Sequence, residues 1–115
     1  MKDQRLYVGH ILEAIRRIES YTSEGKEAFF ADTMSQDAVV MNVQIIGEAA
    51  KKMSDELKKQ YSKIPWRDVM GMRDKIVHDY AGIKLEVVWD VVQNGLPSLK
   101  QVVESMMQKL GGEIH

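Results

Sequence analysis

Residues 35–61, SQDAVVMNVQIIGEAAKKMSDELKKQY, set Val39, Val43, Ile46, Ala50, Met53 and Leu57 at successive spacings of four, three, four, three and four. On a helix turning ~100° per residue these positions share one face, which is the pattern of an amphipathic helix packed on a core. Ser35 is expected as its N-cap, with Asp37 in the first turn, where an oxygen acceptor and a negative charge both suit the free N–H groups. The helix is expected to end near Tyr61. Gly47 stands in mid-helix, where glycine costs ~1 kcal/mol against alanine, so Gly47, Ala49 and Ala50 predict a neighbouring helix at close range.

The same rule extends outward. From Leu6 to about Tyr21, Val8, Ile11, Ile15 and Ile18 form one stripe while Glu13, Arg16, Arg17 and Glu19 point away. Thr22 to Gly25 breaks this helix, and Lys26 to Ala31 reads as a short apolar turn whose Phe29 and Phe30 belong to the core or an interface. After a loop at Ser62 to Pro65, Pro65 suits the first turn of a short third helix carrying Trp66, Val69, Met70, Met72 and Ile76. Gly82 supplies a turn, and a fourth helix is expected from about Lys84 to Leu110, with Val87, Val88, Val91, Val92 and Leu96 among its apolar positions. Pro97 lacks an N–H, so the run Asn94-Gly95-Leu96-Pro97 must kink or interrupt it, and Gly111-Gly112 ends it. No alternating strand pattern, repeat or low-complexity linker is visible. The fold class is all-α, an antiparallel bundle of four to five helices forming a single domain over residues 1–115. The eight methionines read mainly as irregular core filler.

Sixteen basic and seventeen acidic residues, a net charge of -1 and a pI near 6.3 give no general attraction to nucleic acid, which leaves room only for a transient encounter at a few local cations. Without cysteine there is neither a disulfide nor a thiolate metal site, and the three histidines, at positions 10, 78 and 115, form no ligand cluster, so no metal and no cofactor is expected. The first fifteen residues are polar and amphipathic, and no segment approaches the ~20 apolar residues of a membrane span. The expectation is a cytoplasmic protein without membrane association.

Chemistry concentrates in one place. Arg73 to Tyr80, RDKIVHDY, combines a permanent cation with the geometry of phosphate, an imidazole that titrates near neutrality and a phenol. On an unbroken helix Arg73 and His78 would lie ~140° apart, so either the helix unwinds around His78 or a symmetric dimer brings two copies together. Such a trio fits metal-independent RNA cleavage. His78 would take the 2′-hydroxyl proton or protonate the leaving 5′-oxygen, Arg73 would hold the phosphate, and Asp74 would orient Arg73 or His78. The ordinary reading stands beside it: arginines on short helices pair with surface carboxylates, and a histidine near a helix C-terminus suits the terminal carbonyls. His10, close to the first apolar stripe, reads as structural, and His115 as a terminal residue. Lys51-Lys52 and Lys58-Lys59 read most simply as the solvated side of the second helix, with guidance of RNA as the lesser alternative.

The segments HILEAIRRIE, VQIIGEAAKKMS, IPWRDVMGMRDKIVHDYAGIKLEVVWDVV and LPSLKQVV, in that order, resemble the HepT-like family of HEPN-domain proteins over almost the whole chain. Arg73, His78 and Tyr80 fall in register with that family's R-x4-6-H-x-Y signature. The resemblance implies a dimerising HEPN-like bundle and a toxin ribonuclease with Arg73 and His78 at the dimer cleft. It also implies a type II/VII-like toxin–antitoxin system, in which an MntA-type nucleotidyltransferase antitoxin transfers AMP from ATP to Tyr80. The RNA substrate, tRNA or mRNA, would be bound transiently. The family often carries asparagine after the arginine, where this chain has Asp74. The alternative is a non-catalytic helical module that serves as substrate or regulatory subunit of a nucleotidyltransferase.

Overall fold

Three of the helices begin at a side chain that caps them. In the computed structural model, which describes residues 3–78 and 82–111, α1 (Gln4–Tyr21) starts at Asp3, whose carboxylate accepts the Arg5 N–H at 2.9 Å. Its stripe of Val8, Ile11, Ile15 and Ile18 is completely buried. Gly25, at φ 98°, turns the chain into α2 (Lys26–Ala31), and Phe29 enters the core with its ring 5.9 Å from that of Trp89.

The long second helix of the sequence reading is two helices. α3 (Thr33–Lys52) starts one turn before the expected Ser35, because Asp32 is the stronger cap. Its carboxylate accepts N–H groups from Met34 at 3.1 Å and Ser35 at 3.3 Å, and the Ser35 hydroxyl donates to it at 2.7 Å. At the other end Met53 turns extended and Ser54 caps a separate helix, α4 (Asp55–Gln60), by accepting the Leu57 N–H. The apolar stripe survives the break: Met53 and Leu57 are both buried. Lys58 is not on a solvated face, since its ammonium donates to the Ala50 carbonyl at 2.9 Å and closes the C-terminal turn of α3. The Trp66 indole donates to the carbonyls of Lys58 and Tyr61, each at 3.1 Å, and fixes the loop that follows.

The third helix is also divided. Pro65 precedes α5 (Trp66–Met70), Gly71 interrupts it, and α6 (Met72–Ile76) follows. Val77 then adopts φ -124° and ψ 129°, and β1 (Val77–His78) pairs antiparallel with β2 (Gly82–Ile83), Val77 opposite Ile83 and His78 opposite Gly82. A strand pair two residues long carries no alternation for a sequence reading to detect.

The fourth helix is α7 (Leu85–Asp90), a π-helical turn at Val91–Gly95, and α8 (Leu96–Lys109). The π turn widens the backbone just before Pro97, which lacks the N–H a regular turn would need; the interruption expected there takes this form. Val87 is exposed, whereas Val88 is buried. Gly111, at φ 101°, ends the run, and Gly112 lies outside the described residues.

The fold is all-α apart from that pair of short strands. α3 is the central helix, lying along α1 on one side and against α5 and α6 on another, with α8 closing the far side of α1. Ile46, Ile76, Val103 and Met106, from the three helices α3, α6 and α8, are fully buried in the core cluster they share. Burial of a side chain of this size contributes about 1.5–3 kcal/mol, so the core is what holds α6, and with it Arg73, in place. Of the methionines, Met53, Met72, Met106 and Met107 fill the core while Met34 and Met41 lie exposed. No helix among the described residues is long and apolar enough to cross a membrane.

Candidate functional site

Glycine decides where Arg73 stands. A Cβ on Gly47 would lie 3.0 Å from the Met70 carbonyl oxygen and 3.5 Å from that of Val69, so the missing side chain lets the α5–α6 corner rest directly on the backbone of α3. Gly71 makes the corner itself, its N–H donating to the Arg67 carbonyl. Arg73 follows in the first turn of α6, which is anchored below by the buried Met72 and Ile76.

The contact leaves a concavity of about 240 Å³ between α3 and the corner. Its floor is the side-chain-free backbone of Gly47 and Gly71 with Met70, and Gln44, Lys51 and Arg73 stand around it. Glu48 and Asp74 line it as well. Each cation leans on a carboxylate of its own element: Arg73 Nη1 is 3.5 Å from Asp74 Oδ1, and Lys51 Nζ is 3.4 Å from Glu48 Oε1. Arg73 and Asp74 keep 49% and 84% of their side-chain surface exposed, so the pair is open to solvent and exchanges readily for a better anion.

His78 lies five residues beyond Arg73, and the chain between them changes from helix to strand at Val77. The helix therefore stops before the histidine, two residues earlier than a break at His78 itself. The Ile76 carbonyl accepts the Lys84 N–H at 2.8 Å, tying the two ends of the hairpin beside α6. The described part of His78 is its backbone. Tyr80 lies outside the described residues, as does the turn expected at 79–82 apart from Gly82, whose φ of 92° suits a glycine. The structure thus brings Asp74 to Arg73.

His10 is exposed on α1, where it lines concavities on both sides of that helix rather than packing into the core. His115 is outside the described residues. The sequence reading missed Gln44 and Lys51 as neighbours of Arg73. Their signal was the spacing of three and four residues on either side of Gly47, which places them beside whatever that glycine admits.

The model of the family described as "Ribonuclease HepT-like" matches residues 11–106. The chain belongs to the HepT-like ribonuclease family. Relatives within it are named for nuclease activity. A "Probable ribonuclease HepT" from Thermococcus cleftensis is 41% identical over 101 residues, covering 87% of this chain and 92% of that one. A "Putative RNase" from Caldanaerobacter subterraneus is 36% identical over 110 residues, 95% of this chain and 98% of its own length. The HepT-like chain also matches a "Gamma-glutamylcyclotransferase and putative RNase" from Methanocaldococcus jannaschii, at 40% identity over 110 residues; it spans 95% of itself there but only 50% of that longer protein. No solved structure matches it.

Proposed function

We propose that this HepT-like protein is a metal-independent endoribonuclease that acts as the toxin of a type II/VII-like toxin–antitoxin system. The observation that carries the reading is Arg73 at the edge of a solvent-open concavity, with the helix ending at Ile76 so that His78 follows on a separate extended segment. An arginine that meets solvent across a glycine floor is placed for an incoming phosphodiester, and the reading needs no nucleophile from the protein. The 2′-oxygen of RNA attacks phosphorus as His78 takes its proton, the bond to the 5′-oxygen breaks, and a proton returns to that leaving oxygen, giving a 2′,3′-cyclic phosphate and a 5′-hydroxyl. Arg73 neutralises charge growing on the non-bridging oxygens, and Asp74 holds its guanidinium in position.

A single chain offers one His78, whereas the reaction uses a base and an acid. A homodimer with two Arg73/His78 sets lining one cleft supplies both roles. Regulation follows from the motif's third member: a nucleotidyltransferase antitoxin of the MntA type would transfer AMP from ATP to Tyr80, putting a bulky, anionic group two residues from His78 and within the field of Arg73. A cytoplasmic location, with tRNA or mRNA as substrate, completes the reading.

The neutral balance of the concavity, two cations against two carboxylates, favours the second reading, a non-catalytic partner and substrate of a nucleotidyltransferase. Cleavage of total RNA and tRNA in EDTA by the wild type and by His78→Ala separates them. Cleavage that disappears with His78→Ala, by a protein that still folds and self-associates, supports the ribonuclease. Absence of cleavage by well-folded, unmodified wild type removes it.

A further inference from the structure

The floor of the concavity beside Arg73 belongs to two glycines, and one wall belongs to α3. Along that wall Gln44, Glu48 and Lys51 follow at intervals of four and three residues, so they line up on one helical face spanning roughly 10 Å. At about 240 Å³ the space is below the ~300 Å³ at which pockets begin to enclose a whole small ligand. It is the right scale for a charged backbone group with part of a sugar. The donors around it are a guanidinium, an ammonium and an amide, a set that addresses phosphate oxygens and not an apolar or cationic ligand. Among the described residues Lys51 pairs with Glu48, at 3.4 Å, with 54% and 57% of the two side chains exposed, so this pairing yields to a stronger anion as easily as Arg73 yields Asp74.

We infer that Lys51, aided by Gln44, forms a second RNA-backbone subsite that holds the phosphodiester next to the one on Arg73. The inference rests on the ribonuclease reading and adds to it a contact outside the R-x4-H-x-Y motif. Lys52, one residue on, is exposed but lines a different concavity, between α1 and α3. It therefore serves as the control for charge alone. Glu48 acts in the opposite sense, as the carboxylate the RNA must displace.

The test uses the full chain and a fully 2′-O-methylated RNA strand, which binds but cannot be cleaved, with affinity followed against salt. Each phosphate contact to a single strand contributes about 0.7 to the slope of log affinity against log salt. Lys51→Gln is expected to lower the slope by about 0.7 and to weaken binding about fivefold at ~0.1 M salt. Lys51→Arg should retain the slope, Lys52→Gln should match wild type, and Glu48→Gln should tighten binding. Equal losses for Lys51→Gln and Lys52→Gln, or no loss for Lys51→Gln, overturn the subsite. If the wild type still cleaves unmodified RNA in that case, the ribonuclease reading stands without it; if the wild type neither binds nor cleaves RNA, both fall.

Discussion

Gly47 and Met70 meet backbone to backbone: a Cβ on the glycine would stand 3.0 Å from the methionine carbonyl oxygen. A rigid carbonyl cannot rotate away, so Gly47→Ala must push the α5–α6 corner off α3. The expected cost is about 1–3 kcal/mol, the range for overpacking a well-filled contact. RNA cleavage should fall by more than the stability loss accounts for, because Arg73 moves with the corner. Gly9→Ala is the contrasting case, since its Cβ would meet only the flexible end of Met107 at 3.3 Å. That change should be neutral or stabilise α1 by up to ~1 kcal/mol, and urea denaturation of the two variants measures the difference.

In the proposed reaction Asp74 holds the Arg73 guanidinium in position. Exposed pairs of this kind contribute about 0.2–1 kcal/mol, and the 84% exposure of Asp74 puts this one toward the low end. Asp74→Asn is therefore expected to lower kcat for RNA by no more than about fivefold, with little change in KM. A lower KM at unchanged kcat would show instead that the carboxylate competes with the substrate for Arg73.

Where propensity and period agreed, the sequence was legible: α1 and the stripe of α3 lie where the spacing of Val8 to Ile18 and of Val39 to Ala50 puts them. Helix ends were less so, because they depend on which polar side chain wins a cap. Asp32 outcompetes Ser35 by taking three donors, and Ser54 starts a new helix within an unbroken apolar period. At the site, Gly47 announced a close neighbour but not which one; that Met70 rests there, and that Lys51 lines the same concavity as Arg73, depends on contacts between residues 23 and 22 positions apart in the chain. His10 was misjudged for a related reason. It lies next to the apolar stripe, and only the placement of α3 and α8 leaves that edge of α1 open.

Asn42 is 4% exposed on α3, and its amide nitrogen donates to the Ala38 carbonyl at 2.8 Å while its Oδ1 is buried without a partner among the described residues. A buried unsatisfied acceptor costs about 1–3 kcal/mol. Leucine has the same branching at Cγ and no polar atoms, so Asn42→Leu is expected to raise stability by about 1 kcal/mol, read as a higher urea midpoint at unchanged m-value. Destabilisation by this variant would mean that the amide carries a contact the described residues do not include.

The start of α3 should contribute to acid sensitivity. The Ser35 hydroxyl bond first, then the backbone N–H groups of Ser35 and Met34, hold the Asp32 carboxyl below its ordinary value. A group whose pKa is depressed by folding stabilises the native state above its unfolded pKa of ~3.9 and loses that contribution as pH falls through the lower, folded value. Wild type should therefore lose stability below about pH 4, whereas Asp32→Asn, which keeps an oxygen acceptor but cannot titrate, should show a flatter profile over the same interval. Parallel profiles for the two proteins would assign the acid response to other carboxylates.

Tyr80 gives the sharpest division between chemistry and regulation. Phenylalanine keeps the ring and removes only the oxygen to which AMP would be joined, so Tyr80→Phe is expected to cleave RNA nearly as well as wild type. Incubation with the nucleotidyltransferase and ATP should silence the wild type, with a mass gain of one AMP on Tyr80, and leave the variant active. With no phenol there is no nucleophile for the α-phosphorus of ATP, pyrophosphate is not released, and no new anion forms two residues from His78. Silencing of Tyr80→Phe without a mass change would mean that the partner neutralises by binding alone, and silencing that requires ATP would move the modified residue elsewhere in the chain.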